Sequence, residues 1–255
     1  MKIVRGLTNA RPSDRGCVLT IGNFDGMHLG HEEIVRQLAA RGAELGVDRL
    51  ILLKFDERLR SWDGREFIGR VLVGALGVRH IVIGSAFRFG KGRTGTVDLL
   101  RSEGRTLGFG VDEVEAVTID GERVSSTRIR AALARGDLES ARRLLGRDYR
   151  MTGRVMQGRR LGRQLGYATA NLRLHRRVSP VSGVFAVRVH GAGESALPGV
   201  ASVGSRPTVG GGEVLLEAHV FDWQGDLYGR YLGVDFVSKL REESRFADLD
   251  ALVAR

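Results

Sequence analysis

Two histidines beside a glycine-rich turn are the residues of this chain best suited to chemistry on a phosphate group. His28 and His31 follow an apolar, strand-like run at 17–21 and the turn after it. They are spaced i, i+3 at the start of a predicted helix over about 29–45, so both rings share one helical face. The amino end of a helix presents unpaired N–H groups and the positive end of its dipole to an anion. This pattern predicts a binding site for nucleotide phosphates.

Adenylyl transfer is the reaction that such a site favours. Imidazole N–H groups stabilise the charge that develops on a pyrophosphate leaving group without a covalent intermediate. A metal site or a pair of helix-capping histidines is the alternative interpretation of His28 and His31. The recurring glycines favour the phosphate site, because they let the backbone approach a ligand closely. The predicted nucleotide-binding residues here are Gly22, Asn23, Phe24, Asp25, Gly26 and Gly30.

A second predicted helix start carries hydroxyl groups and an arginine. Ser125, Ser126 and Thr127 precede an amphipathic run that begins at Ile129, and Arg130 follows directly. Hydroxyl groups at a helix start either cap unpaired backbone N–H groups or, with an arginine, bind the β- and γ-phosphates of ATP. Taken alone, this segment is better interpreted as an ordinary cap.

Together the two motifs resemble the HxGH nucleotidyltransferase superfamily. The motif Gly-Asn-Phe-Asp-Gly-x-His-x-Gly-His is similar to that of the prokaryotic bifunctional riboflavin kinase/FMN adenylyltransferases, also called FAD synthetases. That family carries Ser-Ser-Thr-x-Ile-Arg after the last strand of its adenylyltransferase domain, and Phe87–Gly95 matches its Phe-Arg-Phe-Gly loop. The resemblance implies that the N-terminal half binds ATP and adenylylates FMN to FAD.

The resemblance continues in the C-terminal half, where residues 158–172 are similar to the flavokinase signature ending in Gly-Phe/Tyr-Pro-Thr-Ala-Asn. Ala168 replaces the proline. The resemblance implies that Thr169 and Asn171 hold Mg²⁺ and the ATP phosphates, since hard oxygen ligands suit this cation. The glycines of the segment would let the loop fold over phosphates. Its other predicted nucleotide-binding residues are Gly158, Gly162, Arg163 and Gly166.

Glu217 is the candidate general base of the kinase half. Residues 215–229 resemble the family's Glu-x-His followed by Leu-Tyr-Gly. The carboxylate could accept the proton of the riboflavin 5′-hydroxyl as that oxygen attacks the γ-phosphate of ATP. A single glutamate on a strand is far more often a solvated surface residue, so this role depends on the resemblance. Ser202 departs from the family, which usually has asparagine there.

Two architectures are predicted along the chain. Apolar runs alternate with helical patterns in the first part, which favours a Rossmann-like parallel α/β domain with ligands at the carboxyl ends of its strands. These runs are Cys17–Ile21, Asp48–Phe55, His80–Ile83 and Val111–Ile119. After a helical stretch at 138–145, short alternating runs and glycine turns favour an antiparallel β-barrel. These runs are Tyr149–Met156, Gly183–His190, Val214–Phe221 and Tyr231–Val237.

We therefore predict a mixed α/β protein with a nucleotidyltransferase domain over 1–146 and a riboflavin kinase domain over 147–255. The second domain is predicted to end in a helix at 242–255. A hydrophobic content of 42%, with Gly 36 against Pro 4, is sufficient for packed cores with many tight turns.

Composition also limits the partners. No uncharged run could span a bilayer, no apolar targeting segment is present, and the single Cys17 excludes an intrachain disulfide, so we expect a soluble cytoplasmic protein without a membrane partner. A net charge of +10 invites a nucleic-acid hypothesis. The basic residues are scattered among 30 acidic ones, and 36 of the 40 are arginine, which favours genomic base composition as the cause. We expect no nucleic-acid partner, and the oligomeric state stays open.

One departure from the family concerns the part of the first domain that receives FMN, the acceptor of the adenylyl group. Between Gly46 and Val47, relatives normally carry a further strand, a Pro-His-Pro-like loop and a helix that help to receive the flavin of FMN. Ala86 stands where the family generally has Asp or Asn. A bifunctional enzyme that uses riboflavin, FMN, ATP and Mg²⁺ is the favoured hypothesis. The others are a riboflavin kinase whose N-terminal domain makes no FAD or uses another acceptor, and a non-catalytic flavin or nucleotide sensor.

Overall fold

The computed structural model describes residues 2–5, 15–21, 27–44, 49–52, 57, 61–156, 169–174, 178–206 and 213–243. The chain divides into two compact units, Met1–Val124 and Ser125–Arg255. The predicted division after residue 146 stays a prediction, and it differs from this one by assigning two helices to the first domain rather than the second.

The first unit contains parallel strands and helices. Its strands are β1 (Lys2–Arg5), β2 (Val18–Leu19), β3 (Arg49–Leu52), β4 (His80–Gly84), β5 (Gly110–Val114), β6 (Thr118–Ile119) and β7 (Glu122–Arg123). Its helices are α1 (Leu29–Glu44), α2 (Gly64–Phe67) continuing as a π-helical segment (Ile68–Ala75), a 3₁₀ turn (Lys91–Arg93) and α3 (Val97–Leu107). Strands β2, β4 and β5 form one parallel sheet, β1 and β3 pair in parallel, and β6 and β7 form a hairpin.

Helices cover both faces of the β2–β4–β5 sheet. Ile81 and Ile83 of β4 belong to a core cluster that also contains residues of the π-helical segment and of α3. Val82, which points to the opposite face, belongs to a second cluster packed against Ile34 and Leu38 of α1. This arrangement confirms the predicted Rossmann-like architecture.

The sequence dictates several of these element ends. Thr96 caps α3 by accepting a hydrogen bond from the Leu99 N–H (3.1 Å), and Gly108 ends the helix in the left-handed region. The single strand predicted over 111–119 is wrong in detail. The chain leaves β5 after Val114, and the Asp120–Gly121 turn, with both residues at positive φ, connects β6 to β7 in a separate hairpin.

The second unit is the predicted barrel. Two helices, α4 (Ser126–Ala134) and α5 (Leu138–Leu145), come before it. Its strands are β8 (Tyr149–Met156), β9 (Thr169–Arg173), β10 (Gly183–His190), β11 (Leu197–Arg206), β12 (Glu213–Val220) and β13 (Tyr231–Arg241). They close antiparallel in the order β10–β11–β12–β9–β8–β13, around a core in which the Phe185 and Phe236 rings meet edge to face at 5.1 Å.

The predicted terminal helix over 242–255 lies almost wholly outside the described residues. Within the described ranges, no helix combines the length and the apolar character that crossing a membrane requires.

Candidate active sites

The two histidines of the first unit meet at the amino end of α1. Their rings stack with centroids 3.7 Å apart and planes inclined by 14°. The His28 carbonyl accepts the N–H groups of His31 (2.8 Å) and Glu32 (2.9 Å), so His28 is the capping residue directly before α1. Its own ring is buried, with 6% of the residue exposed. The predicted shared face of the two imidazoles is therefore observed.

A hydrogen bond fixes the orientation of the His28 ring. Its Nδ1 accepts the backbone N–H of His31 at 3.2 Å, so the proton of the neutral ring is on Nε2. Gly30 makes room for this arrangement, because a Cβ at this position would lie 3.2 Å from two atoms of the His28 ring. The helix-capping alternative is thus also observed: the His28 ring caps the helix through Nδ1, which leaves Nε2 as its N–H donor.

The other predicted phosphate residues of this turn, Gly22, Asn23, Phe24, Asp25 and Gly26, lie outside the described residues. The basic loop 87–95 is described, and it is closed by two backbone hydrogen bonds between Phe89 and Gly95 (3.1 and 2.8 Å). A Cβ at Gly95 would lie 2.5 Å from the Phe89 ring, so the glycine is required by packing. Lys91 and Arg93 are exposed at the tip.

The Ser-Ser-Thr segment opens α4, as predicted, in the second compact unit. Ser125 Oγ accepts the Arg128 N–H at 3.3 Å, so this hydroxyl acts as a helix cap. Ser126 is half-buried, whereas Thr127 and Arg130 are exposed. Binding of ATP phosphates by these residues stays a prediction.

Strand register brings the kinase candidates together on the barrel. Glu217 of β12 pairs with Asn171 of β9 on one side and with Ser202 of β11 on the other. Alternation along β12 buries Leu216 and Ala218 in the barrel core, which leaves Glu217 on the outer face. Side chains directly opposite on neighbouring strands have Cβ atoms about 4.5–5.5 Å apart. The carboxylate and the amide of Asn171 are therefore neighbours.

Thr169 lies on the same face, two residues from Asn171, and pairs with His219 of β12. The Thr169 hydroxyl and the Asn171 amide oxygen thus point to the same side of β9. Both are hard, neutral oxygen donors, which fit Mg²⁺ when phosphates and water complete its shell. The remaining predicted residues of this signature, Gly158, Gly162, Arg163 and Gly166, lie outside the described residues.

A cavity of about 520 Å³ opens beside Thr169 at the end of the barrel. Its floor consists of the core-facing residues Val155, Ala170 and Val220, and its wall is the loop 223–228. The volume is within the range of small-molecule sites. Sequence reasoning identified Leu227–Gly229 only by resemblance and did not find Trp223 or Asp226, because the cavity depends on how this loop folds back on the barrel.

The sequence also did not indicate a charged cluster around the buried Asp235, with partners on β8 and β10. Asp235, 7% exposed, accepts hydrogen bonds from Arg150 through both oxygens and contacts His190 Nε2 at 2.8 Å. Burial raises the pKa of the Asp235 carboxyl, but the hydrogen bonds from Arg150 and His190 outweigh this effect and hold it below its usual value of 3.8. Arg150 and His190 are remote from Asp235 in sequence, so the cluster forms only when the barrel folds.

The fold and the two sites define a class: an α/β unit with a histidine pair at a helix start, joined to a barrel that carries a carboxylate beside two oxygen donors. Family models agree with both parts. The riboflavin kinase model matches residues 145–255, and the FAD synthetase model matches residues 10–44 and 39–128. A bifunctional riboflavin kinase/FMN adenylyltransferase of Pseudomonas fluorescens is 46% identical over 99% of this chain and 93% of its own.

The Escherichia coli K12 protein of the same description is 40% identical over 100% of this chain and 94% of its own. The chain therefore belongs to the bifunctional riboflavin kinase/FMN adenylyltransferase family. A solved structure described as a macrolide-efflux protein from Streptococcus pneumoniae superposes with a TM-score of 0.77 at 27% identity, over 99% of this chain and 95% of that one.

Proposed function

We propose that this protein phosphorylates riboflavin to FMN in its barrel unit and adenylylates FMN to FAD in its α/β unit, with ATP and Mg²⁺, in the cytoplasm. The observation that carries the first activity is the register that sets Glu217 beside Asn171, with Thr169 two residues further along the same face. A non-catalytic sensor would need no such base beside two oxygen donors.

In the kinase reaction, Glu217 accepts the proton of the riboflavin 5′-hydroxyl. The oxygen attacks the γ-phosphorus of ATP, the bond from that phosphorus to the bridging oxygen breaks, and ADP leaves. Thr169 and Asn171 would hold Mg²⁺, which when bound neutralises charge on the phosphates. The pairing of Glu217 with Asn171 on neighbouring strands supports this assignment, since base and phosphates must meet at the same hydroxyl.

In the adenylyl reaction, a phosphate oxygen of FMN attacks the α-phosphorus of ATP and pyrophosphate leaves. The His28 Nε2–H and the imidazole of His31 donate hydrogen bonds to the phosphates, and the α1 dipole adds positive potential. What supports this role is the tautomer that the His31 N–H imposes on His28. The glycine-rich turn before α1 completes the proposed ATP site of this unit, and a role of Ser125–Thr127 and Arg130 in binding ATP phosphates stays a prediction.

One observation favours a second candidate, a riboflavin kinase whose α/β unit makes no FAD. The FAD synthetase model matches in two pieces that overlap near residues 39–44, and the alignments to the relatives span 291 and 295 positions against 255 residues here. The difference agrees with the segment missing after Gly46.

A chromatographic assay that resolves riboflavin, FMN and FAD tests both candidates. The purified protein is incubated with ATP and Mg²⁺, once with riboflavin and once with FMN. We expect FMN and then FAD from the first reaction and FAD from the second. FMN without FAD in both would establish the kinase alone, and no conversion of riboflavin would refute the proposal.

A further inference from the structure

We propose that Arg230 is a positioning residue that holds the loop 223–228 as the wall of a pocket for the nucleoside of ATP. The inference rests on the proposed kinase function, and it concerns which substrate the 520 Å³ cavity receives. Neither the family resemblance nor the motifs singled out Arg230.

Arg230 fastens the loop at two points. Its Nη1 donates a hydrogen bond to the Ala192 carbonyl at 3.0 Å, and its guanidinium lies over the Trp223 ring at 5.9 Å from the ring centre. The acceptor is a backbone carbonyl, and Ala192 is buried, with 2% exposed, so Arg230 is held by the main chain of the barrel unit. Arg230 thus links the aromatic residue of the cavity wall to the segment between β10 and β11.

The loop itself is tightly folded around Trp223. The indole Nε1 donates to the Gly225 carbonyl at 3.0 Å, and a Cβ at Gly225 would lie 2.7 Å from the ring. Asp226 Oδ1 accepts the Tyr228 N–H at 2.9 Å. Two further backbone hydrogen bonds, both 2.9 Å, join Gly229 and Arg230 to Val155 at the end of β8. A loop folded in this way presents a fixed surface to a ligand.

The position of Thr169 indicates which ligand this is. Thr169 lines the cavity, whereas Asn171 and Glu217 do not. The acceptor hydroxyl must reach Glu217 and the phosphates must reach Thr169, so the part of ATP beyond its phosphates extends into the cavity. Among the described residues that line it, Asp226 is the one charged side chain, which accepts hydrogen bonds from hydroxyl or amino groups and repels phosphate. Trp223 and Tyr228 supply aromatic surface for a base.

The test measures ADP binding directly, so that it does not depend on turnover. Trp62→Phe, in the first unit, leaves Trp223 as the single tryptophan, and its fluorescence is titrated with ADP and Mg²⁺. In this background, Arg230→Gln should weaken ADP binding roughly three- to tenfold, the range expected for losing a cation–π contact and one hydrogen bond. Arg230→Lys should restore most of it, since a lysine also provides a cation for the ring.

The control is Arg188→Gln, which removes an arginine of the same barrel that pairs with Asp148 and should leave ADP binding unchanged. In the kinase assay, Arg230→Gln should raise KM for ATP and leave KM for riboflavin and kcat unchanged. A raised KM for riboflavin with unchanged ADP binding would assign the cavity to the flavin and overturn the proposal. Wild-type ADP binding together with a wild-type KM for riboflavin would overturn it as well. A wild type that binds ADP at Trp223 but makes no FMN would refute the kinase function alone.

Discussion

Glu217 shows how strand register turns an ordinary residue into a candidate base. Its position opposite Asn171 places a proton acceptor beside the predicted Mg²⁺ ligands. We expect Glu217→Gln to lower the rate of FMN formation by about 100-fold or more, because the amide cannot accept the proton of the 5′-hydroxyl. ADP binding, followed through Trp223, should not change. Chromatography of FMN with time measures the rate.

Glu194→Gln provides the matched control, since Glu194 is an exposed carboxylate of the same unit outside the site. It should form FMN at the wild-type rate. Wild-type turnover in Glu217→Gln would remove Glu217 from the mechanism and return it to the solvated surface residue that its sequence context alone suggests.

Gly30 is the residue that permits the histidine arrangement. A methyl group at this position would press on the His28 ring from 3.2 Å, and we expect Gly30→Ala to lower FAD formation from FMN about tenfold. Alanine favours a helix over glycine by about 1 kcal/mol, so the thermal midpoint should not fall. Gly69→Ala is the matched control, because a Cβ at Gly69 contacts nothing within 4 Å. A lower midpoint together with the lost activity would point to misfolding rather than to the ring.

At the level of elements, the Asp235 cluster joins β8, β10 and β13. Asp235→Asn would remove the charge-assisted hydrogen bonds from Arg150, whose side chain is 43% exposed, and we expect it to lower the free energy of unfolding by about 1.5–3 kcal/mol. Urea unfolding at neutral pH measures this loss, with Glu194→Gln as the exposed acidic control. A change of less than about 0.5 kcal/mol, typical of a surface substitution, would show that the cluster does not stabilise the barrel.

The same cluster makes the free energy of unfolding depend on pH in the acidic range. The folded pKa of Asp235 is below its usual 3.8, so the ion cluster stabilises the protein fully above that value and the stabilisation is lost as pH falls through the folded pKa. The free energy of unfolding should therefore fall below about pH 4 more steeply for wild type than for Asp235→Asn. Parallel curves for the two proteins would contradict this.

Local sequence patterns predicted many helices and strands. They failed where a turn sets the end of a strand or where contacts between residues remote in sequence form a site. The spacing of His28 and His31 predicted their shared face, and the apolar run at 80–83 predicted β4, because both depend on neighbours in sequence. The run 111–119 predicts one strand, whereas the chain leaves the sheet after Val114 and residues 118–119 form a hairpin with 122–123 around the Asp120–Gly121 turn. The cavity beside Thr169 and the contacts of Asp235 and Arg230 depend on barrel closure, which no local pattern contains.

At the scale of the whole molecule, each proposed reaction belongs to its own compact unit. The histidine pair belongs to Met1–Val124, and the Glu217 face and its cavity belong to Ser125–Arg255. FMN is the product of one reaction and the substrate of the other, so the two activities should be lost independently. The motifs of the sequence predicted one reaction for each half of the chain. Whether the first unit makes FAD without the segment missing after Gly46 is a question for experiment.

The most direct test of this claim compares His28→Ala with Glu217→Gln in the chromatographic assay. With riboflavin, ATP and Mg²⁺, His28→Ala should accumulate FMN without FAD. Glu217→Gln should leave riboflavin unconverted yet make FAD when FMN is supplied. A mixture of the two variants should restore FAD from riboflavin, because FMN released by the first is used by the second. Loss of both activities in either variant, or a mixture that makes no FAD, would contradict two separate catalytic sites.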